Sequence, residues 1–294
     1  MVNTVSVLAF GASYIYLTKP SITSKARTSA SNPASCQLGQ PQHHMAAPTD
    51  DGLEPSVSRD YAGEGYWDSR YAGEEFPPQF DWLFTYAQVR PLLERFFRRE
   101  HALCVPGCGN ATLSPDMAAA GYGGLVNVDY SAVVIEQQRR RHPHMRWEVG
   151  DCTELPHAAA SFDGIVDKCV ADCLLTEPGG ATLVQRTFAE MARVLKPGGC
   201  VLLLSLNEEE RMMKHLAPEL FGWCVCSTTV PNPDAPADTY SVFVAQKHDP
   251  AAPRMDGGEA HAADLSAALE AAAAEAAAGV AEAADAHLAS YVAY

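Results

Sequence analysis

The chain has no uninterrupted run of about 18 apolar residues, the length a membrane-spanning helix needs, so no span of that kind is expected. It has no C-x-x-C pair with histidines at zinc spacing, although nine cysteines are present, and no metal site is expected. Basic residues are sparse: 21 Lys and Arg stand against 36 Asp and Glu, a net charge of −15. A nucleic-acid backbone requires clustered cations, so nucleic acid is not an expected partner. The single basic run, Arg139-Arg140-Arg141, falls at the end of an expected helix, where it faces the negative end of the helix dipole. Acids are absent before Asp50, and Arg254 is the only cationic side chain after Pro250.

What is present is the composition of a globular chain, 47% apolar and 19% charged over 294 residues. Cys104, Cys108, Cys169, Cys173, Cys224 and Cys226 lie in or beside apolar strand-like runs, where a free thiol behaves as a small hydrophobe. Reduced, buried cysteines and a reducing compartment are the expectation. Three zones separate by composition. Residues 1–58 are polar, rich in Ser, Thr and Ala, and read as a disordered extension or an organelle transit peptide. That leaves the cytoplasm, or a plastid or mitochondrion, as the location. Residues 59–249 alternate short apolar runs with helical patterns. Residues 250–294 are dominated by alanine and read as a helical tail with little bulky surface to bury and no part in catalysis.

Strands are expected at Ala102–Pro106, Leu125–Asp129, Arg146–Gly150, Gly164–Lys168, Cys200–Leu206, Trp223–Val230 and Tyr240–Gln246. Helices are expected at Asp81–Arg99, Pro115–Ala120, Ala132–Arg141, Thr182–Leu195 and Asn207–Leu216. Ser114 is placed to cap the second of these, with Pro115 at its first position, and Ser131 to cap the third. Alternation of this kind specifies an α/β fold with a doubly wound, mostly parallel seven-stranded sheet. The last two strands, joined by a Pro- and Asp-bearing loop, form an antiparallel C-terminal hairpin.

In such a fold the turn after the first strand is a ligand site, because its glycines admit a ligand and the following helix N-terminus is electropositive. That turn reads "VPGCGNATLS". A dinucleotide fingerprint would place a third glycine where Thr112 stands, which weakens a nicotinamide cofactor; no catalytic Tyr-Lys or His pair for an oxidoreductase is found either. Asp129 ends the second strand 20 residues beyond Gly109, a spacing that suits a carboxylate accepting from the ribose hydroxyls of an adenosine group. Asp151 and Lys168 fall at the ends of the third and fourth strands. Gly107, Asp129, Asp151 and Lys168 therefore share one edge of the sheet.

The motifs "YWDSRY", "FDW", "VPGCGNATLS", "NVDYSAVVI", "MRWEVGD", "SFDGIVDK" and "RVLKPGG" carry a resemblance over residues 64–248. The sequence resembles the class I S-adenosylmethionine-dependent methyltransferases. Within them it is most similar to the methyltransferase-like lysine methyltransferases that act on translation elongation factor 1-alpha. The resemblance implies S-adenosyl-L-methionine as cofactor and a protein substrate, an elongation factor being the family's example. By position it implies that Gly107 lines the methionine part, that Gly109 is also cofactor-binding, and that Asp129 holds the ribose. It places Tyr130 against the adenine, Asp151 and Cys152 at the adenine edge, and Lys168 closing the pocket. Trp67, Tyr71 and Trp82 match upstream cofactor contacts; ring faces there suit a sulfonium cation, or else staple an N-terminal helix to the core.

Methyl transfer to an amine is an in-line displacement in which the protein chiefly positions the partners. Asp172 faces the acceptor and orients the amine, or else starts a helix; no general base is assigned. Where the family has Lys-Gly-Thr-Leu-Asp, this chain has Lys168-Cys169-Val170-Ala171-Asp172. A cysteine in the glycine's place removes backbone freedom if that position has a positive φ. A small-molecule acceptor and a non-catalytic cofactor-binding module are the alternatives.

Overall fold

The short apolar runs become strands because helices cover both of their faces. The computed structural model describes residues 61, 64–73, 79–233, 235, 237–251 and 258–292; the extension expected over 1–58 lies outside the described residues. In chain order the elements are α1 (Glu64–Ala72), α2 (Tyr86–Phe96), β1 (Ala102–Pro106), α3 (Leu113–Ala119), β2 (Gly124–Asp129), α4 (Ala132–Arg141), β3 (Arg146–Val149) and β4 (Phe162–Lys168). They continue with α5 (Val170–Leu175), α6 (Gly180–Val194), β5 (Leu195–Ser205), α7 (Glu209–Leu216), α8 (Pro218–Phe221), β6 (Trp223–Pro231), β7 (Thr239–Lys247) and α9 (Gly258–Val292).

The seven strands form one sheet in the order β3-β2-β1-β4-β5-β7-β6. The first five run parallel, with Cys104 beside Val126 and Val166 beside Leu202. β7 runs antiparallel to both neighbours, with Leu203 opposite Phe243 and Val225 opposite Ala245. The expected doubly wound sheet with its antiparallel hairpin is thus the observed one. Chain order reverses at β1 and β4, so the loops leaving Pro106 and Lys168 open on a shared crevice, where ligands of open α/β sheets bind.

Each face carries its own apolar layer. Phe84, Leu92, Leu93, Met117, Ile135 and Leu269 pack on the side of α2, α3, α4 and α9. Ala171, Phe188, Met191, Met212 and Trp223 pack on the side of α5, α6 and α7. In α6 the buried positions 184, 188 and 191 repeat at helical spacing, which turns one stripe to the sheet. Trp223 is fully buried and its indole N–H donates to the Leu216 carbonyl at 2.8 Å, so its polar atom is satisfied inside the core. All eight described cysteines are free; only Cys173 and Cys224 are partly exposed.

Several expectations are corrected. The helix expected from Asp81 starts at Tyr86, because the Gln88 side chain accepts the Thr85 N–H at 2.7 Å and sets the helix start there. Leu83 before it adopts φ 61°, which no helix admits. Ser114 is buried inside α3 and does not cap it; the helix begins after Thr112, whose hydroxyl and N–H both bond to Asp81. Helix α7 begins at Glu209, two residues later than expected, because Asn207 is occupied by Asp172. Ser131 does cap α4, accepting from the Val134 N–H at 3.3 Å. Helices α5 and α8 are too short for periodicity to reveal.

The alanine-rich tail forms α9, which buries more than its composition suggests. Leu265, Leu269, Ala272, Ala273, Ala276 and Val280 of α9 are buried, and the helix packs against β6 and α2. Small side chains let it lie close to the sheet: the Cys226 thiol reaches the Ala262 carbonyl at 3.5 Å.

Candidate functional site

The glycine turn after β1 is shaped by backbone geometry that side chains disfavour. Gly107 has φ 55° and Gly109 φ 52°. A β-carbon on Gly107 would stand 2.2 Å from the Val170 side chain, and one on Gly109 would stand 2.8 Å from the Tyr71 hydroxyl. The turn is tied to the next strand end: Asp129 accepts from the Gly109 N–H and the Ser131 N–H, both at 2.9 Å. Each carboxylate oxygen accepts one backbone donor and retains capacity for a second. Burial raises the Asp129 carboxyl to about 6, against the two backbone hydrogen bonds that favour its charged form; the nearby Asp68 adds to the rise.

Around this turn lies a cavity of about 890 Å³, including its open mouth. Nine of the ten sequence-identified cofactor candidates line it: Trp67, Tyr71, Trp82, Gly107, Gly109, Asp129, Tyr130, Cys152 and Lys168. The tenth, Asp151, stands outside the wall, with its carboxylate accepting the Thr153 N–H at 2.7 Å and the Thr153 hydroxyl at 2.8 Å. Its neighbours Gly150 and Cys152 form the wall instead. Cys152 is fixed from behind by the Thr187 hydroxyl at 3.6 Å.

The aromatic wall is contributed by two segments upstream of the sheet. Trp67 stacks on Tyr71 with ring centres 5.6 Å apart, and its indole N–H donates to the Tyr61 carbonyl at 2.7 Å. Helix α1 is held to α4, where the Gln137 amide donates to the Tyr71 carbonyl at 2.8 Å and the Ser131 hydroxyl bonds to Asp68. Burial, with the charge of Asp129 adding to it, keeps the Tyr71 phenol protonated well above its ordinary value. Trp82 meets Phe80 edge to face at 5.1 Å, and the Phe80 N–H reaches the Asn110 carbonyl.

Asp81 fixes this second segment, and sequence reasoning missed it although it stands beside Trp82. It bonds to the Lys168 ammonium and accepts from both polar groups of Thr112. Lys168 also donates to the Phe84 carbonyl at 3.1 Å. Burial would raise the Asp81 carboxyl, but Lys168 and Thr112 outweigh it and hold the carboxyl below its ordinary range. Lys168 therefore lines the cavity with its stem, while its charge ties β4 to the 80–84 segment.

Beside the cavity lies a second cleft of about 690 Å³, sharing Tyr61, Trp82, Cys169 and Cys173 as common walls. Asp172 lines this cleft and not the first. One of its oxygens, Oδ1, accepts from the Ser205 hydroxyl, the Leu206 N–H, the Asn207 N–H and the Asn207 amide at 2.8 to 3.2 Å. Its Oδ2 is buried without a hydrogen-bond partner among the described residues. Burial raises the carboxyl, opposed by these four bonds. Between cavity and cleft, Cys169 adopts φ 69°, so the position where the resembled family carries glycine does demand a left-handed backbone.

The residues present fit S-adenosylmethionine: a cradle closed to β-carbons, a buried carboxylate with free acceptor capacity, and ring faces for a sulfonium. The sequence pattern described as "Methyltransferase domain" matches residues 104–203. EEF1A lysine methyltransferase 4 of Bos taurus is 31% identical over 189 residues, covering 60% of this chain and 74% of that protein. The eEF1A lysine and N-terminal methyltransferase of Mus musculus is 34% identical over 182 residues, but the chain spans only 26% of its length. A 1,6-didemethyltoxoflavin-N1-methyltransferase structure from Burkholderia thailandensis aligns with TM-score 0.48 at 19% identity, over 69% of this chain and 95% of that one.

Sheet order, glycine turn and acidic strand end together define the fold of class I methyltransferases. This chain belongs to the S-adenosylmethionine-dependent methyltransferases of that class, in the family that includes EEF1A lysine methyltransferase 4.

Proposed function

We propose that this chain binds S-adenosylmethionine in the cavity at Gly107–Asp129 and transfers its methyl group to a lysine ε-amine of a protein. The observation that carries the acceptor assignment is Asp172, which lines a cleft sharing four residues with the cofactor cavity and whose buried Oδ2 has no hydrogen-bond partner among the described residues. A buried carboxylate oxygen without a donor calls for one, and an amine supplies it. Tyr61 and Trp82 add aromatic walls that suit a cation on its way in.

The bound cofactor supplies a methyl carbon already activated by a sulfonium leaving group. The chain's residues do the rest by placement. Gly107 and Gly109 would allow close approach of the cofactor, Asp129 would accept from its ribose hydroxyls, and Tyr130, Cys152 and Gly150 would border the base. Asp151 contributes through the position of its backbone, since its carboxylate is held by Thr153. The free lysine amine has a pKa of about 10.4 and must lose its proton to attack; an apolar channel lowers that value. Asp172 would hold the amine in the cleft next to the cofactor cavity. Bound there, S-adenosylmethionine would supply the methyl carbon and leave as the neutral thioether, and the amine's surplus proton would pass to solvent.

The names of the relatives support a protein substrate, and elongation factor 1-alpha is the first to try. The test incubates the full chain and methyl-labelled S-adenosylmethionine with purified elongation factor 1-alpha and, separately, with a cell extract. The expected result is label on a protein lysine. Asp172→Asn should lower kcat roughly ten- to a hundredfold with the cofactor Kd retained, because only acceptor placement is lost. Label confined to small molecules, or cofactor binding with no transfer to any acceptor, overturns the reading.

A further inference from the structure

We propose that Arg211 selects acceptor lysines that have an Asp or Glu within two residues. The inference rests on the lysine-methyltransferase reading and adds a specificity residue to it.

Arg211 projects from α7 into the wall of the acceptor cleft, on the same surface as Asp172, Thr176 and Leu206. Its guanidinium has one hydrogen bond, a long one of 3.4 Å to the Leu175 carbonyl, and no carboxylate partner among the described residues. Arg98, Arg99, Arg140, Arg146 and Arg193 each pair with a glutamate, and Arg211, which shares the cleft wall with Asp172, does not. Glu208, at the N-cap position of α7, makes no ion pair with Arg211 among the described residues, and the two acids within α7 are engaged elsewhere. Glu209 accepts from the Ser227 hydroxyl at 2.7 Å, and Glu210 pairs with Lys214 at 3.0 Å. A guanidinium presents several donors in a fixed fork that matches a carboxylate, and this one is left open at the mouth of the cleft.

The cleft thus offers opposite charges at two depths. Asp172 takes the amine at the inner end, and Arg211 stands at the rim. A lysine entering it leaves its own backbone near the mouth, so side chains flanking it meet the rim. A carboxylate there completes Arg211, whereas Lys or Arg there is repelled.

The experiment maps labelled lysines after incubating a cell extract with the wild-type chain and methyl-labelled S-adenosylmethionine. Synthetic peptides spanning a mapped site are then compared with versions in which the flanking acid is changed to its amide. Mapped sites should carry the acid. The amide peptide should show KM raised roughly three- to fivefold, the range of an exposed ion pair. With Arg211→Gln the two peptides should become equivalent, and Arg211→Glu should prefer a peptide with lysine in the flanking position. The charge-reversed preference is a gain that misfolding cannot imitate. Sites without a neighbouring acid, or an acid preference that survives in Arg211→Gln, overturn the proposal. Absence of any labelled lysine overturns the lysine-methyltransferase reading and this inference with it. Methylated lysines without the acid overturn the inference alone.

Discussion

The ammonium of Lys168 and the carboxylate of Asp81, 87 residues apart in the chain, form an ion pair in which both side chains are almost fully buried. This pair joins the fourth strand to the segment that carries Phe80 and Trp82, and through Thr112 it reaches the helix after the glycine turn. Removing one partner leaves the other charge buried alone. Asp81→Asn should therefore lower unfolding stability by roughly 3 kcal/mol in urea titrations. The paired change Asp81→Leu with Lys168→Met should cost less than either single change. Since the folded carboxyl lies below its ordinary value, its stabilisation is present above the unfolded pKa of about 3.9 and is lost as pH falls through the folded value.

Asp129 titrates in the opposite sense. Its folded carboxyl is raised to about 6, so the unliganded fold is relieved, through this group, as pH falls from there toward the ordinary carboxylate value. The charged form is the one that accepts ribose hydroxyls. S-adenosylmethionine affinity, measured by calorimetry, should be flat above that point and fall about tenfold per pH unit below it. Asp129→Asn should abolish the pH dependence, and Asp129→Ala should weaken binding at neutral pH by at least roughly tenfold.

Cys169 offers a test of backbone strain. Its φ of 69° places a side chain where glycine is ordinarily required. Glycine normally destabilises relative to alanine, but here the order should invert. Cys169→Gly should be more stable than Cys169→Ala by roughly 1 kcal/mol in thermal or chemical denaturation. Alanine equal to or better than glycine would mean that the turn relaxes around the side chain.

The C-terminal helix should contribute to stability in spite of its plain composition. Leu269 is fully buried between α9 and the sheet layer. Leu269→Ala should cost roughly 3 kcal/mol of unfolding free energy, the range of buried leucine truncations. An exposed-surface effect of a few tenths would show that the helix is not docked in solution.

The chain order of apolar runs was enough to specify an α/β sheet, because a strand buried on both faces has to be apolar throughout and has to be followed by a covering helix. The glycine turn and Asp129 could be read for the same reason: Gly107 and Gly109 meet a local backbone demand, and Asp129 closes the next strand of the same motif. The aromatic residues Trp67, Tyr71 and Trp82 came from resemblance, since nothing local in their segments signals a cavity wall. Tertiary structure alone decided the rest. It showed that Asp151 turns back to Thr153, that Lys168 is bound to Asp81, that Asp172 lines a separate cleft, and that Arg211 has no acidic partner among the described residues. It also decided that a tail of alanines docks on β6 and α2. Periodicity and spacing record what a residue does to its own segment, whereas charge pairing and cavity walls depend on which distant segments the fold brings within a few ångströms.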